Sequence, residues 1–143
     1  MSSQQPQIDF LILADAAQAV GGKLYLMGGG WDRLVVPAFG QPLPISLAAG
    51  IMVPWAMVGG DITATVKLER EDGTPVPQDL TITVNATMVA QSPVGRPLRV
   101  IVAGAGAWAI PGPGFYRLVM SAGGAAKATV FQVDRPTAAA WQA

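Results

Sequence analysis

The chain has no cysteine and no histidine among its 143 residues. Without them, disulfides, thiolate metal sites, Ser-His-Asp and Cys-His nucleophiles and two-histidine-one-carboxylate centres are all excluded. A cysteine-free chain also fits the reducing cytoplasm. The metal ligands that remain are carboxylates. Glu69, Glu71, Asp72 and Asp79 gather near one turn, a hard-ligand set suited only to calcium or magnesium. They lack Asp-X-Asp spacing and share their neighbourhood with Lys67 and Arg70, so a solvated sheet edge is expected there, with no metal and no cofactor.

Charge is scarce as well, at 13% of residues against 51% hydrophobic, where about 25% charged is typical. Nine basic and nine acidic residues cancel, and neither sign forms a run. The electrostatic footprint of a nucleic-acid or anionic-membrane binder is missing. So few charges leave apolar surface uncovered, and part of it is expected to lie against a partner protein. Long apolar runs are missing too: nothing approaches the ~20 residues of a membrane helix. The short run Phe10 to Leu13 is flanked by Asp9 and Asp15 and has no positive segment before it, so no secretory signal is expected. These features predict a soluble, cytoplasmic protein with no membrane insertion.

What the chain does have is punctuation, with 17 glycines and 12 prolines spread along it. Apolar and β-branched segments lie between them, the pattern of many short strands. The length suits a single domain. The reading is a lead-in over 1–7, one domain over 8–133 and a tail over 134–143.

The most distinctive stretch runs from Lys23 to Arg33. Leu24 and Leu26 alternate with Tyr25 and Met27 as in a strand. Gly28, Gly29 and Gly30 then mark a bend or bulge, and an extended pattern resumes at Trp31. Asp32 and Arg33 point to opposite faces, so one of them should be solvated or paired with Asp15. A phosphate-cradling reading of the glycines lacks the following helix and the Lys-Ser or Lys-Thr pair that it needs.

Leu13-Ala14-Asp15-Ala16-Ala17-Gln18, then Gly22-Lys23-Leu24-Tyr25, then Gly28 to Arg33 resembles the opening of an uncharacterised bacterial domain-of-unknown-function family. Pro54-Trp55, the turn Asp72 to Pro75 and the hairpin entry Pro113 to Tyr116 are similar to later features of that family. The resemblance implies a β-sandwich and brings no activity, cofactor or catalytic residue.

Along the chain, Ile8 to Val20 favours a strand ending in an irregular Ala-rich piece, with a helix over Ala14 to Val20 capped by Asp15 as the competing reading. Val20-Gly21-Gly22 turns into the next strand. Pro37 to Pro44 is a connection that cannot be a central strand. Ile45 to Val53 is apolar almost throughout. Ile62, Ala64, Val66 and Leu68 alternate with Thr63, Thr65, Lys67 and Glu69, a sheet with one wet face. Leu80 to Val89 alternates in the same way, Gln91 to Pro97 forms a loop, and Leu98 to Ala103 is a buried strand. Phe115 to Ser121 and Lys127 to Val133 close a last hairpin. These segments predict an all-β, immunoglobulin-like antiparallel sandwich of seven to nine strands, with Leu24, Leu26, Ile62, Val66, Ile82, Val84, Leu118 and Val130 in its core.

Several segments imitate chemistry. Val100 to Ala109 mimics a dinucleotide fingerprint, but Pro111 and Pro113 stop the helix that such a loop must open. Asn85-Ala86-Thr87 is a glycosylation sequon that reads as strand in an unexported chain. Asp15 and Asp32 could pair as glycosidic carboxylates only if the fold set a cleft beside them. Core filling is expected for Trp31 and Trp55. Trp108 could fill the core or face a ligand, and Trp141 lies beyond the sandwich.

The resulting expectation is a non-catalytic structural or protein-interaction subunit that forms a homo-oligomer or joins a larger assembly. The alternative is a small-ligand or carbohydrate-binding module using Trp108 and Tyr116. Association is expected because Ile45 to Val53 and Leu98 to Ala103 lack a wet face. An ordinary specific interface would bury about 1,200 to 2,000 Å², and Trp141 in the tail could serve as an anchor.

Overall fold

A computed structural model describes residues 5–57, 60–85 and 95–136. They form strands β1 Gln7–Val20, β2 Lys23–Gly29, β3 Arg33–Val35, β4 Pro42–Val53, β5 Asp61–Arg70, β6 Pro75–Asn85, β7 Leu98–Ala109, β8 Gly114–Ala122 and β9 Ala125–Asp134, with one 3-10 turn at Trp55–Met57. Two sheets result, ordered β2-β1-β4-β7 and β3-β9-β8-β5-β6. They face each other across one core, so the molecule is an all-β sandwich. Every pairing is antiparallel except β3 with β9, which is parallel. Among the described residues no helix is long and apolar enough to cross a membrane.

The core follows from alternation. On β4, Ile45, Leu47, Ala49, Ile51 and Val53 point inward and are essentially fully buried. They meet Ile62, Val66 and Leu68 of β5 and Leu118 and Met120 of β8 from the opposite sheet. The largest buried side chains, Trp108, Tyr116 and Phe131, stitch the sandwich together. Tyr116 stacks on Phe131 at 6.0 Å between centroids, and its hydroxyl donates to the Gly112 carbonyl at 2.6 Å. A buried tyrosine tied to backbone a few residues upstream is a feature of immunoglobulin-type sandwiches. Trp108 folds back over Gly106, where an added Cβ would collide with its ring. Its indole Nε1 donates to the Gln78 carbonyl. Gln78 has a φ of 96°, a conformation that costs a residue with a side chain energy. It lies where β6 slips register against β5, and the tryptophan holds the displaced carbonyl.

Two hairpins use the turn that right-twisted strands prefer. Gly21 and Gly22 join β1 to β2, and Gly123 and Gly124 join β8 to β9, all four with positive φ. The clean alternation read from Ile62 to Glu69 is observed on β5. Of the expected core residues, Ile62, Val66 and Leu118 are buried, Ile82 packs on the core from its margin, and Leu24 and Leu26 are half-buried outside it. The Val84 side chain lies outside the described residues, as do 86–89 of the expected strand, the sequon positions 86 and 87, and most of the expected loop over 91–97.

Three expectations change. Val130 is 47% exposed, because β9 carries apolar residues on both sides and Phe131 and Val133 take the inward positions. β1 continues through Val20 as a strand, so neither the helix nor the irregular piece forms: β2 pairs it over Ala14 to Val20. Pro42 and Pro44 belong to β4, a central strand, opposite Ala109 and Ala107. The last β1–β4 pair is Ala14 with Ser46. Beyond it that edge of β4 has no ladder for a proline to interrupt.

Candidate interaction surface

The outward side of the β1-β4-β7 slab is largely apolar, and Ala14 and Ala48 on it are already buried within the chain. Cross-strand pairing sets its rows: Phe10, Gly50 and Ile101; then Ile12, Ala48 and Ala103; then Ala14, Ser46 and Ala105. Phe10 lies across Gly50, with ring carbons 3.0 to 3.2 Å from where a Cβ would stand. A side chain at position 50 would crowd the ring. Phe10, Ile12, Met52 and Ile101 remain half-exposed. All four lie outside the core cluster and outside the side chains that pack against it. Ala105 and Ala107 are exposed. At one end the Arg99 guanidinium reaches over Met52 to Asp9, 2.5 Å from Nη2 to Oδ2.

Beyond Ala14, β1 and β2 continue as a two-stranded ribbon. It carries Val20, Tyr25 and Met27, of which Met27 is 72% exposed. A lone two-stranded ribbon is marginally stable in water, so apolar groups on it gain from being covered.

The opposite outer face, on the five-stranded sheet, is wet along β5 and β6, while its β8, β9 and β3 side exposes Phe115, Val130 and Val35. Thr63 pairs with Thr83 and Thr65 with Thr81. Arg117 holds Glu69 through Nε and Nη2 at 2.9 and 2.8 Å. Arg33 pairs with Asp134 at 3.0 Å and donates to Gln132 Oε1 at 3.0 Å. Asp15 is therefore not the partner of Arg33. It lies over Gly28 in the ribbon, while the parallel β3–β9 pairing brings Asp134 beside Arg33. A shallow depression of about 300 Å³ is lined by Asp32, Arg33, Phe115, Val130, Phe131 and Gln132. Asp15 does not line it, so the two aspartates share no cleft there.

Of the tryptophans, Trp108 and Trp31 pack in or against the core. Trp31 packs edge-on against Phe131, 5.7 Å between centroids, with its Nε1 buried and unpartnered. Trp55 is half-buried in the 3-10 turn. Trp108 is fully buried. Trp141 lies outside the described residues. Around the β5–β6 turn, Glu69 is held by Arg117 and Asp79 sits 4.0 Å from Lys67. Asp72 Oδ1 accepts the Thr74 amide at 2.9 Å. That amide bond, with help from the Thr74 hydroxyl, lowers the Asp72 pKa. Among the described residues no group of three or more carboxylates could hold a metal.

Sequence reasoning found the strands of the apolar face but not its exposed residues. The signal lies on β4, where large residues at odd positions face the core while Ser46, Ala48 and Gly50 alternate with them. Small residues on one parity of a central strand mark a face built for close approach.

No curated protein matches this chain. A family profile, however, spans residues 9–133, the whole sandwich except its first and last strand ends. The chain belongs to DUF6941, a family of unknown function.

Proposed function

We propose that this chain is a non-catalytic protein-interaction subunit, which builds a homo-oligomer or a larger protein assembly through the outer face of its four-stranded sheet. One observation carries the reading: Phe10, Ile12, Met52 and Ile101 lie together on that face and pack on no part of the core. In a solitary antiparallel sandwich that face would alternate to polar. Contiguous apolar patches bordered by polar groups mark interaction sites. Cytoplasmic residence belongs to the same proposal, and fractionation of cells carrying the native chain checks it. Light scattering across the micromolar range, on the chain alone and on its native complexes, tests the function. Ile101→Glu should abolish every association without altering the fold, and an association that survives it overturns the reading.

The ligand-binding alternative loses its aromatic platform, because Trp108 and Tyr116 are both fully buried. Phe115, half-exposed between the Arg33 depression and a second one lined by Arg70, Glu71 and Asp72, is the exposed aromatic that stands beside a depression. Calorimetry with a glycan panel, repeated on Phe115→Ala, separates the two readings.

A further inference from the structure

From the apolar ground beside the end of β9 and the reach of the chain beyond it, we infer a docking surface on the outward side of β3, β9 and β8. Its occupant is the tail of the same chain, residues 137–143, with Trp141 seated in the depression next to Arg33. The inference does not rest on the interface reading above, which concerns the other sheet.

The surface comes first. Phe131 and Val133 face the core, so Val130, Gln132 and Asp134 face outward. Register sets Phe115 and Arg33 on either side of Gln132, and Val35 beside Asp134. Val35, Phe115 and Val130 are the large hydrophobic side chains that this sheet exposes. The depression of about 300 Å³ lies among Phe115, Val130 and Arg33. The Arg33 guanidinium is held there by Asp134 through Nε and by Gln132 through Nη2. A fixed guanidinium beside an aromatic side chain suits an indole, the strongest cation–π partner among side chains.

Position selects the occupant. β9 ends at Asp134, and the Arg135 guanidinium over the Phe39 ring, 5.7 Å from its centroid, fixes where the chain leaves the sheet. Trp141 follows Pro136 by five residues, a span of at most about 17 Å. Gln132 precedes Pro136 by four, so the depression beside it lies roughly 14 Å back along the strand. One reversal of direction brings Trp141 over it, and a proline at the root of the tail suits such a reversal. Phe10 and Ile101 stand on the far side of the other sheet. A path to them has to round the end of the sandwich and cross an inter-sheet distance of about 10 Å and a further side-chain layer, for which the same five residues are too short.

Composition agrees with position. Residues 137–143 carry no charge and one large side chain, and the three alanines before Trp141 let the backbone lie close to Val35 and Val130. Burying an indole and covering these exposed side chains offsets the loss of chain freedom that leaves most chain ends undocked.

The absence of cysteine allows a direct test on the full chain. Val130→Cys is combined with Gln142→Cys, and Ile101→Cys with Gln142→Cys serves as the comparison pair. Under mild oxidation the first pair should close an intramolecular disulfide at least tenfold faster than the second. Adding Trp141→Ser to the first pair should slow its closure several-fold. A closure rate that ignores Trp141→Ser overturns the docking, since nearness of the tail alone would then account for it. A comparison pair that closes as fast as the first overturns the choice of surface. Cross-linked dimers in place of the intramolecular product overturn docking within one chain. A measurement without cysteines guards against a folding defect in these variants. The fluorescence difference between wild type and Trp141→Phe isolates this indole, and iodide should quench it several-fold less than it quenches a free peptide of residues 137–143. Equal quenching overturns the inference.

Discussion

The outer faces of the two sheets obey the same alternation and differ most between β5, where the outward residues are polar, and the β1-β4-β7 slab, where they are mostly apolar. On the five-stranded sheet every second residue of β5 is polar or charged, and the cross-strand pairs are Thr63 with Thr83, Thr65 with Thr81 and Glu69 with Arg117. On the four-stranded sheet the same positions hold Phe10, Ile12, Ala48, Gly50 and Ile101. Both inner faces need apolar residues to make the core. Only a polar outward row, such as that of β5, is what a solitary domain requires. The difference therefore marks what the fold does not need for itself, and so where selection on association would act.

The largest effect breaks what the two faces share. Trp108→Ala empties the volume of a fully buried side chain and orphans the Gln78 carbonyl that it holds. A loss of about 3 to 5 kcal/mol is expected, read from chemical denaturation as a lower midpoint at unchanged slope. A near-neutral result would mean that the site relaxes and that Trp108 is not structural.

Next comes inverting the apolar face. Ile12→Lys should remove self-association entirely while shifting the unfolding free energy by no more than about 0.5 kcal/mol, the range for surface changes away from special features. The converse change sharpens the comparison. Thr65→Val with Thr81→Val makes a pair on the wet face apolar, and because Lys67, Glu69 and Arg117 still surround it, no dimer should appear. If one does, apolarity alone drives association and the outer side of the four-stranded sheet is not special. Smaller still is Arg117→Ala, which leaves Glu69 without its partner. With both side chains about one-third exposed, solvent screens the pair, and a loss of about 0.5 to 1 kcal/mol is expected in thermal or urea unfolding.

The same contrast governs what could be read from the sequence. β5 was legible residue by residue because its wet face supplies polar letters between apolar ones. β4 and β7 read only as apolar runs, since neither of their faces carries that contrast, and nothing local tells Ala48, facing out, from Ala49, facing in. β9 misled for a related reason: Val130, Phe131 and Val133 give apolar residues on both sides, and it is the pairing of Tyr116 with Phe131 that sets which side is inward. The prolines argued against a central strand, yet the β4–β7 ladder runs through Pro42 and Pro44. They could not show that β1 parts from β4 at Ala14, which leaves that edge open. The Arg33–Asp134 and Asp9–Arg99 pairs join residues far apart in sequence, and only the assembled sheets bring them together. The glycine stretch at Gly28 was legible as a bend because positive φ there needs glycine, but what it bends against, Asp15, belongs to the pairing of β1 with β2.

The smallest effect is at the tip of the wet sheet. Asp72 accepts the Thr74 amide within the β5–β6 turn, and Gly73 completes the turn with positive φ. The amide bond comes first among the causes that lower the Asp72 pKa, followed by the Thr74 hydroxyl, with the nearby Arg70 charge a lesser contributor. A carboxylate whose folded pKa lies below its unfolded value binds its proton more readily in the unfolded chain. Its contribution to stability is therefore fully present above the ordinary aspartate pKa of about 3.9 and is lost as pH falls through the lower folded value. Melting temperatures of wild type and Asp72→Asn should accordingly differ by a small, constant amount from neutral pH down to about pH 5, and the curves should converge once the pH has fallen through the lower folded value and the wild-type carboxylate is protonated as well. A difference that widens on acidification would show that the Thr74 amide is not what holds the carboxylate charged.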